Sequence, residues 1–213
     1  FIFLGEQGPR LPFGKWTAYR YGQHSAFIAR YPQKIKAGTT SDAIVQYEDI
    51  MPTLLEFAGG EKIKDIDGIS CLPVLFGKKK EHRQWAYGIH NNIPEGRAYP
   101  IRSIQDKRYK LIMNLKSEVD YHEKHLMDPN AKEKVWDSFL QTAETDEFAL
   151  FLVNHYTKRP AIEFYDLKKD PWELNNLAGE KKYFKRIQNM KAELFKWMEQ
   201  QGDTGADMDI PQK

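Results

Sequence analysis

Three side chains near the start have the types and spacing to do chemistry. The apolar run Phe1-Ile2-Phe3-Leu4 ends in Gly5-Glu6-Gln7-Gly8, and Lys15 follows one short loop later in Pro12-Phe13-Gly14-Lys15-Trp16. An apolar run of this length reads as a buried strand, and ligands of open α/β sheets bind at the carboxyl ends of strands. The Glu6 carboxylate and Gln7 carboxamide supply hard oxygens of the kind calcium and magnesium prefer. Lys15 can hold an anion as a point charge. A metal and a lysine beside one oxyanion point to sulfuryl or phosphoryl chemistry. By spacing alone, a strand followed by a Gly/Pro-rich turn with ordinary surface charges fits the same residues.

The segments that follow narrow the choice. In order they are Ala26-Phe27-Ile28-Ala29-Arg30-Tyr31-Pro32, Asp49-Ile50-Met51-Pro52-Thr53-Leu54-Leu55 and Asp67-Gly68-Ile69-Ser70. Further on come Tyr99-Pro100-Ile101-Arg102-Ser103-Ile104, Tyr109-Lys110-Leu111-Ile112-Met113-Asn114 and Glu163-Phe164-Tyr165-Asp166-Leu167, continuing to Asp170-Pro171-Trp172-Glu173-Leu174. Together they resemble the later half of a sulfatase of the alkaline-phosphatase-like superfamily, nearest its heparan N-sulfatase (sulfamidase) branch and bacterial relatives. The resemblance implies an α/β fold: the C-terminal part of an alkaline-phosphatase-like sulfatase, with a smaller antiparallel sheet packed on a C-terminal helix. It places Glu6 and Gln7 at the family's paired metal ligands, normally Asp then Asn or His, and Lys15 at its sulfate-holding cation. Each ligand substitution keeps an oxygen donor and adds one methylene. Arg10 is an alternative cation.

The family's nucleophile is a formylglycine made from a Cys/Ser-x-Pro-x-Arg motif. Cys71, the single cysteine, lies in Cys71-Leu72-Pro73-Val74-Leu75, which has the proline and lacks the arginine. It reads as a small buried hydrophobe. The expectation is therefore a C-terminal portion, inactive alone, whose partner is the N-terminal half of the same protein. For the complete enzyme the resemblance implies calcium (magnesium as the alternative), formylglycine and a sulfated saccharide, cleaved at a sulfate ester or N-sulfate. Two rivals stay open: a phosphoesterase of the same superfamily, and a non-catalytic sulfated-saccharide-binding protein with a degenerate metal site.

The elements that must position these residues fall into two segments. Residues 1–83 read as the end of a large α/β catalytic domain, with strands at Phe1–Leu4 and Ala26–Arg30. A short helix begins at Pro52, is capped or charged by Asp49, and buries Leu54, Leu55 and Ala58. Residues 84–213 read as a smaller α+β subdomain. Its strands are Trp85–Ile89, Tyr99–Ile104, Tyr109–Asn114 and Glu163–Leu167, with helical pattern over Asn130–His155 and Lys182–Gln200. Val135, Trp136, Phe139 and Leu140 share one helical face; Phe184, Ile187, Met190, Leu194, Trp197 and Met198 form the stripe of the last helix. Gly202 onward reads as a loose tail. In the family, loops of this subdomain border the substrate cleft, which makes His90 and Asn91 the candidate substrate contacts. Arg102, inside the Pro100-Ile101-Arg102-Ser103 match, reads as a structural ion-pair partner or as a residue reaching the cleft, the structural role being preferred. The 32 basic and 30 acidic residues nearly balance, giving no reason to expect nucleic acid, and no stretch has the apolar length of a membrane span. One cysteine forbids an internal disulfide; a periplasmic or secreted location follows from the resemblance.

Overall fold

The computed structural model describes residues 1–132 and 134–210. Along the chain run β1 (Ile2–Leu4), α1 (Arg20–Gln23), β2 (Phe27–Ala29), α2 (Ile50–Phe57), α3 (Leu72–Leu75), β3 (Ala86–His90), β4 (Ile101–Gln105), β5 (Tyr109–Asn114), α4 (Lys124–Met127), α5 (Val135–Ala143), α6 (Glu147–Thr157), β6 (Ile162–Asp166) and α7 (Phe184–Gln200). The chain divides into two compact units, one of residues 1–6 with 25–86, the other of residues 7–24 with 87–213. The sequence division at 83/84 groups residues 7–24 with the first segment. Their contacts tie them to the second: Tyr19 Oη donates to Glu163 (2.8 Å) and Arg20 N to Glu173 (2.5 Å).

In the first unit β1 and β2 pair antiparallel, Phe3 opposite Ile28. The hub of the unit is Asp49, fully buried. Its carboxylate accepts from Gln46 N (3.0 Å), Ile69 N (2.8 Å), Arg83 Nε (2.8 Å) and His82 Nε2 (3.0 Å). Burial pushes this carboxyl up, but the Arg83 guanidinium and the two amides outweigh it and hold the group below its ordinary value. Asp49 does not cap α2 with its side chain; it closes a capping box with Gln46 around the 3-10 turn Tyr47–Asp49, and α2 opens at Ile50, ahead of Pro52. Gly59, at φ +75°, follows its end, the left-handed position glycine takes without a Cβ clash. The face expected to be buried is not: Leu54 is 49% exposed and Ala58 also faces solvent, while Thr53 is the buried residue. Leu54 and Phe57 instead line an apolar surface pocket of about 200 Å³ with Phe1, Ile2, Tyr31 and Phe76. Cys71 is fully buried, its N–H on Thr53 Oγ1 (2.8 Å).

The second unit is built on a four-stranded sheet in the order β3-β4-β5-β6. β4 and β5 form an antiparallel hairpin with Ser103 opposite Ile112, and β6 extends it with Phe164 opposite Leu111. α7 packs on β4 and β5 through Ile187, Met190, Leu194 and Met198, all buried. Trp197 stacks on Tyr87 of β3 at 4.7 Å between ring centroids. Phe184 is 65% exposed: it is the first residue of α7, ahead of the turns that lie on the sheet. On α5, Trp136 turns inward while Leu140 stays exposed. The core cluster is rich in aromatics, with Tyr19, Tyr99, Tyr121, Tyr156 and Tyr165 all buried beside Ile101, Ile112 and Leu167. Arg159 lies among them, its guanidinium carbon 3.8 Å from the Tyr121 ring centroid.

The segment from Gly202 also departs from the expected loose tail. Asp203 is buried and binds the fully buried Arg102, with 2.9 Å from Nη2 to Oδ1. Asp209 is also buried and accepts from Asn92 N (2.9 Å), Ile93 N (2.9 Å) and Tyr99 N (2.6 Å). Charged acceptors satisfy amides that would otherwise be orphaned. Through Asp209 the segment is thus tied to β4 and to the loop between β3 and β4; residues 211–213 of the expected tail lie outside the described residues.

Candidate functional site

Lys15 is presented by a tightly wound loop. Gly14 N bonds Leu11 O (2.9 Å), Lys15 N bonds Pro9 O (2.9 Å), and Gly8 N bonds Gly22 O (2.9 Å). A Cβ on Gly14 would stand 2.2 Å from Pro9 O, so the backbone closes here only without a side chain. Phe13 and Trp16 both take positive φ, +64° and +69°. Non-glycine residues hold that conformation only when their surroundings over-determine it. Here the surroundings are named: the Phe13 ring packs against Tyr156 (5.2 Å) and Tyr19 (5.3 Å), and Tyr121 Oη donates to Trp16 O (2.9 Å). The half-buried Lys15 therefore stands on a fixed base, its Nζ 5.8 Å from the centroid of the Trp16 ring.

Two further residues meet on that ring. His125 stacks with Trp16, ring centroids 5.1 Å apart and planes 16° from parallel. The Arg10 guanidinium carbon lies 5.6 Å from the ring centroid. Glu123 places His125: both its oxygens accept from the first turn of α4, at His125 N (2.6 Å) and Leu126 N (3.1 Å). Burial and then the positive charge of Arg10, Lys124 and Lys15 push the His125 imidazolium down, against the opposite pull of Glu95. His125 was missed by sequence reasoning; the one usable signal was the aromatic Trp16 directly after Lys15.

His90 and Asn91 lie at the end of β3. Asn92 is fully buried and gives its Nδ2 to the carbonyls of Arg97 and His122, both at 2.7 Å. Its Oδ1 is therefore the atom facing His90 Nε2 at 3.2 Å. An amide oxygen only accepts, so Nε2 carries the proton and Nδ1 keeps a lone pair. Burial pushes the His90 imidazolium below its ordinary value, and the neutral ring offers Nδ1 as an acceptor suited to a hydroxyl. Asn91 is engaged at both ends of its amide, with Oδ1 accepting from Arg102 Nη1 (3.0 Å) and Nδ2 donating to Met208 O (3.4 Å). The loop beyond Asn92 joins the two neighbourhoods, since Lys124 N donates to Glu95 O and Lys124 Nζ to Pro94 O, each at 2.7 Å.

Glu6 is exposed just past β1 in the first unit, and Gln7 is the exposed first residue of the second. Among the described residues no group of three or more His, Cys, Asp or Glu side chains is placed to hold a metal ion. Burial raises the Cys71 thiol, which leaves it a packing residue rather than a nucleophile.

Known proteins are similar to this chain over most of its length. The chain is 35% identical over 206 residues to an ulvan-active sulfatase of Formosa agariphila, covering 95% of this chain and 38% of the relative. It is 30% identical to an N-acetylglucosamine-6-O-sulfatase of Bacteroides thetaiotaomicron, covering 97% of this chain and 30% of the relative. A solved protein in complex with its substrate D-glucosamine-2-N,6-O-disulfate superposes with a TM-score of 0.62 at 28% identity, over 88% of this chain and 31% of that one. The chain thus spans 30–38% of the length of these relatives. The family model for the N-sulphoglucosamine sulphohydrolase C-terminal region matches residues 8–149, a stretch that begins at the Lys15 loop and runs through His90, Asn91 and His125: the chain belongs to the N-sulphoglucosamine sulphohydrolase C-terminal family, within the alkaline-phosphatase-like sulfatases.

Proposed function

We propose that the complete protein is a sulfatase that hydrolyses a sulfate ester or N-sulfate on a saccharide related to glycosaminoglycans, N-sulfoglucosamine among the candidates. The observation that carries this reading is the strained, core-anchored loop that fixes Lys15, the residue to which the resemblance assigns the sulfate-holding role. Residues 1–6 and 25–86 are the end of the large catalytic domain in this reading, and the N-terminal half of the protein is their partner. Formylglycine and a divalent cation would supply the nucleophile and the Lewis acid. Glu6 and Gln7 fit a hard cation by donor chemistry, calcium or magnesium, and would provide two of the six to eight oxygens that calcium takes. Residues outside this chain would supply the others. Lys15 holds a sulfate oxygen and offsets the charge that builds on it. His90, neutral and with Nδ1 as acceptor, takes a sugar hydroxyl, and Asn91 holds the loop that carries it. A periplasmic or secreted location follows from the family.

The test is a turnover assay of the complete protein on glucosamine carrying an N-sulfate, glucosamine carrying an O-sulfate, and a phosphate monoester of the same sugar. Turnover of a sulfated sugar well above the phosphate ester supports the reading. Preference for the phosphate ester favours the phosphoesterase. Binding of sulfated sugar with no turnover favours the non-catalytic protein.

A further inference from the structure

One buried residue outside the candidate site holds the Lys15 loop from both sides. Glu173 lies in the Asp170-Pro171-Trp172-Glu173-Leu174 stretch, past the residues 8–149 that the family model matches. It is 1% exposed and takes φ +58°, again the left-handed region that a non-glycine residue holds only when its surroundings over-determine it. Asp170 fixes the turn, its Oδ1 accepting from Leu174 N (3.1 Å) and its Oδ2 from Asn175 N (2.8 Å). From that turn Glu173 reaches in two directions. Its Oε2 accepts from Arg20 N (2.5 Å), the first amide of α1, which the Tyr19 side chain leaves uncapped. Its backbone carbonyl accepts from His155 Nε2 (2.9 Å). A carbonyl only accepts, so Nε2 carries the proton. That bond orients the His155 ring, which stacks with Phe13 at 5.5 Å and 26° from parallel. Phe13 precedes Lys15 in the loop and Arg20 follows it. The Glu173 carboxylate is itself held by the fully buried Lys110 of β5, with 3.2 Å from Nζ to Oε1.

We infer that Glu173, clamped by Lys110, is a positioning residue for Lys15: it fixes where the loop stands and so where the ammonium meets the sulfuryl group. This rests on the reading of Lys15 given above. Thr17 braces the loop from within, its Oγ1 donating to Phe13 O (2.9 Å) and Gly14 O (2.8 Å). That sets the shape of the loop. Glu173 sets its place, because it ties both flanks to β5 and to α6. An ammonium acts as a point charge, so its effect depends on where its base stands. A misplacement of about 1 Å caused by a remote change can cost about 100-fold in rate. Glu173 touches no substrate in this scheme. Its whole effect passes through Lys15 and stays within the loss that Lys15→Ala gives.

The experiment compares two double variants of the complete protein, each with the buried ion pair removed from both sides so that no charge is stranded. Lys110→Met with Glu173→Gln keeps an oxygen for Arg20 N. Lys110→Met with Glu173→Met does not. Amide hydrogen exchange at Arg20 should be several-fold faster in the second than in the first. On a sulfated glucosamine, kcat of the second should be about 10- to 100-fold lower with KM little changed, while the first recovers most of the wild-type kcat. Adding Lys15→Ala to both should bring them to one kcat, since the clamp then has nothing left to place. Equal kcat in the two variants with Lys15 present, or a gap that persists in the Lys15→Ala background, overturns the positioning role. If the Met variant does not fold, the partly buried His155 takes its place. His155→Phe keeps a ring on Phe13 and loses the bond to Glu173 O. It should lower kcat about threefold, the scale of one neutral hydrogen bond, and add nothing to Lys15→Ala; wild-type kcat overturns the clamp. Lys15→Ala alone separates the two readings. A loss of about 100-fold there beside equal kcat in the Gln and Met variants defeats the clamp and leaves the role of Lys15 standing. Full activity in Lys15→Ala defeats the role of Lys15 and the positioning with it, whatever the exchange at Arg20.

Discussion

Helices α2 and α7 are both amphipathic, yet they end in opposite situations. α7 buries Ile187, Met190, Leu194 and Met198 against β4 and β5. α2 leaves Met51, Leu54 and Phe57 about half exposed, at 47, 49 and 50%. The second unit thus closes its own apolar core. The first is held by a polar hub, Asp49 with Arg83 and His82, and keeps an apolar face beside the pocket lined by Phe1 and Phe57. Apolar patches of this kind mark places where another surface packs. The candidate site loops belong to the second unit, where the packed aromatic core forms the base under Lys15 and His125.

The largest expected effect falls on the polar hub. Asp49→Ala leaves Arg83 and His82 without their shared carboxylate, and breaking a buried pair from one side costs about 3–5 kcal/mol. Its pH dependence has a definite sign. The Asp49 carboxyl is held below its ordinary value, so its contribution is complete above the ordinary carboxylate pKa of about 4 and is lost as pH falls through that value and below it. Asp203, which Arg102 holds down against the upward push of burial, contributes with the same sign to the second unit. Thermal melts between neutral pH and pH 3 should show wild type losing the stability that Asp49→Ala lacks throughout. Parallel melting curves for the two proteins would remove Asp49 as the hub.

Next come the two helices themselves. Leu194→Ala should cost about 2–5 kcal/mol, the range for a buried leucine, in this chain and in the complete protein alike. Leu54→Ala should cost almost nothing in this chain and approach the Leu194 value in the complete protein, if the remainder of the protein covers the α2 face. Denaturant unfolding of all four samples checks this. An equally small cost for Leu54→Ala in both would mean that the face stays open.

A smaller effect is expected at Asp209. Its carboxylate holds three amides of the loop that follows His90, and one buried amide left unpaired costs about 1–3 kcal/mol. Asp209→Ala should speed hydrogen exchange at Asn92, Ile93 and Tyr99 and raise KM with kcat nearly unchanged. Exchange rates matching wild type at those amides would show that the loop is held by other means.

Much of this organisation is legible in the residues. The hairpin of β4 and β5 follows from two short apolar runs joined across Gln105–Arg108, and the α7 stripe from its helical spacing. Arg102 reads as structural because an arginine inside a strand needs a partner, and Asp203 is that partner. What escapes the sequence is set by distance along the chain. Gly202-Asp203 and Asp209 look like a solvated tail until the amides of residues 92, 93 and 99 come within reach. His125 has no ligand-like spacing, and only the fold lays it on Trp16. The α2 face reads as buried because periodicity reports which side is apolar and not what lies against it. Phe184 misleads for a related reason: it keeps the period of α7 but precedes the part of the helix that meets the sheet.

The central claim is that Lys15 holds the transferring sulfuryl group. The direct measurement is kcat/KM of the complete protein, Lys15→Ala and Lys15→Arg on its preferred sulfated sugar, with melting temperatures to confirm folding. Losing an electrostatic donor aimed at the transition state costs on the order of 100-fold or more in rate. Lys15→Ala should therefore fall by about that factor, with the melting temperature preserved, and Lys15→Arg should keep part of the activity because the charge survives. Full activity in Lys15→Ala would contradict the account.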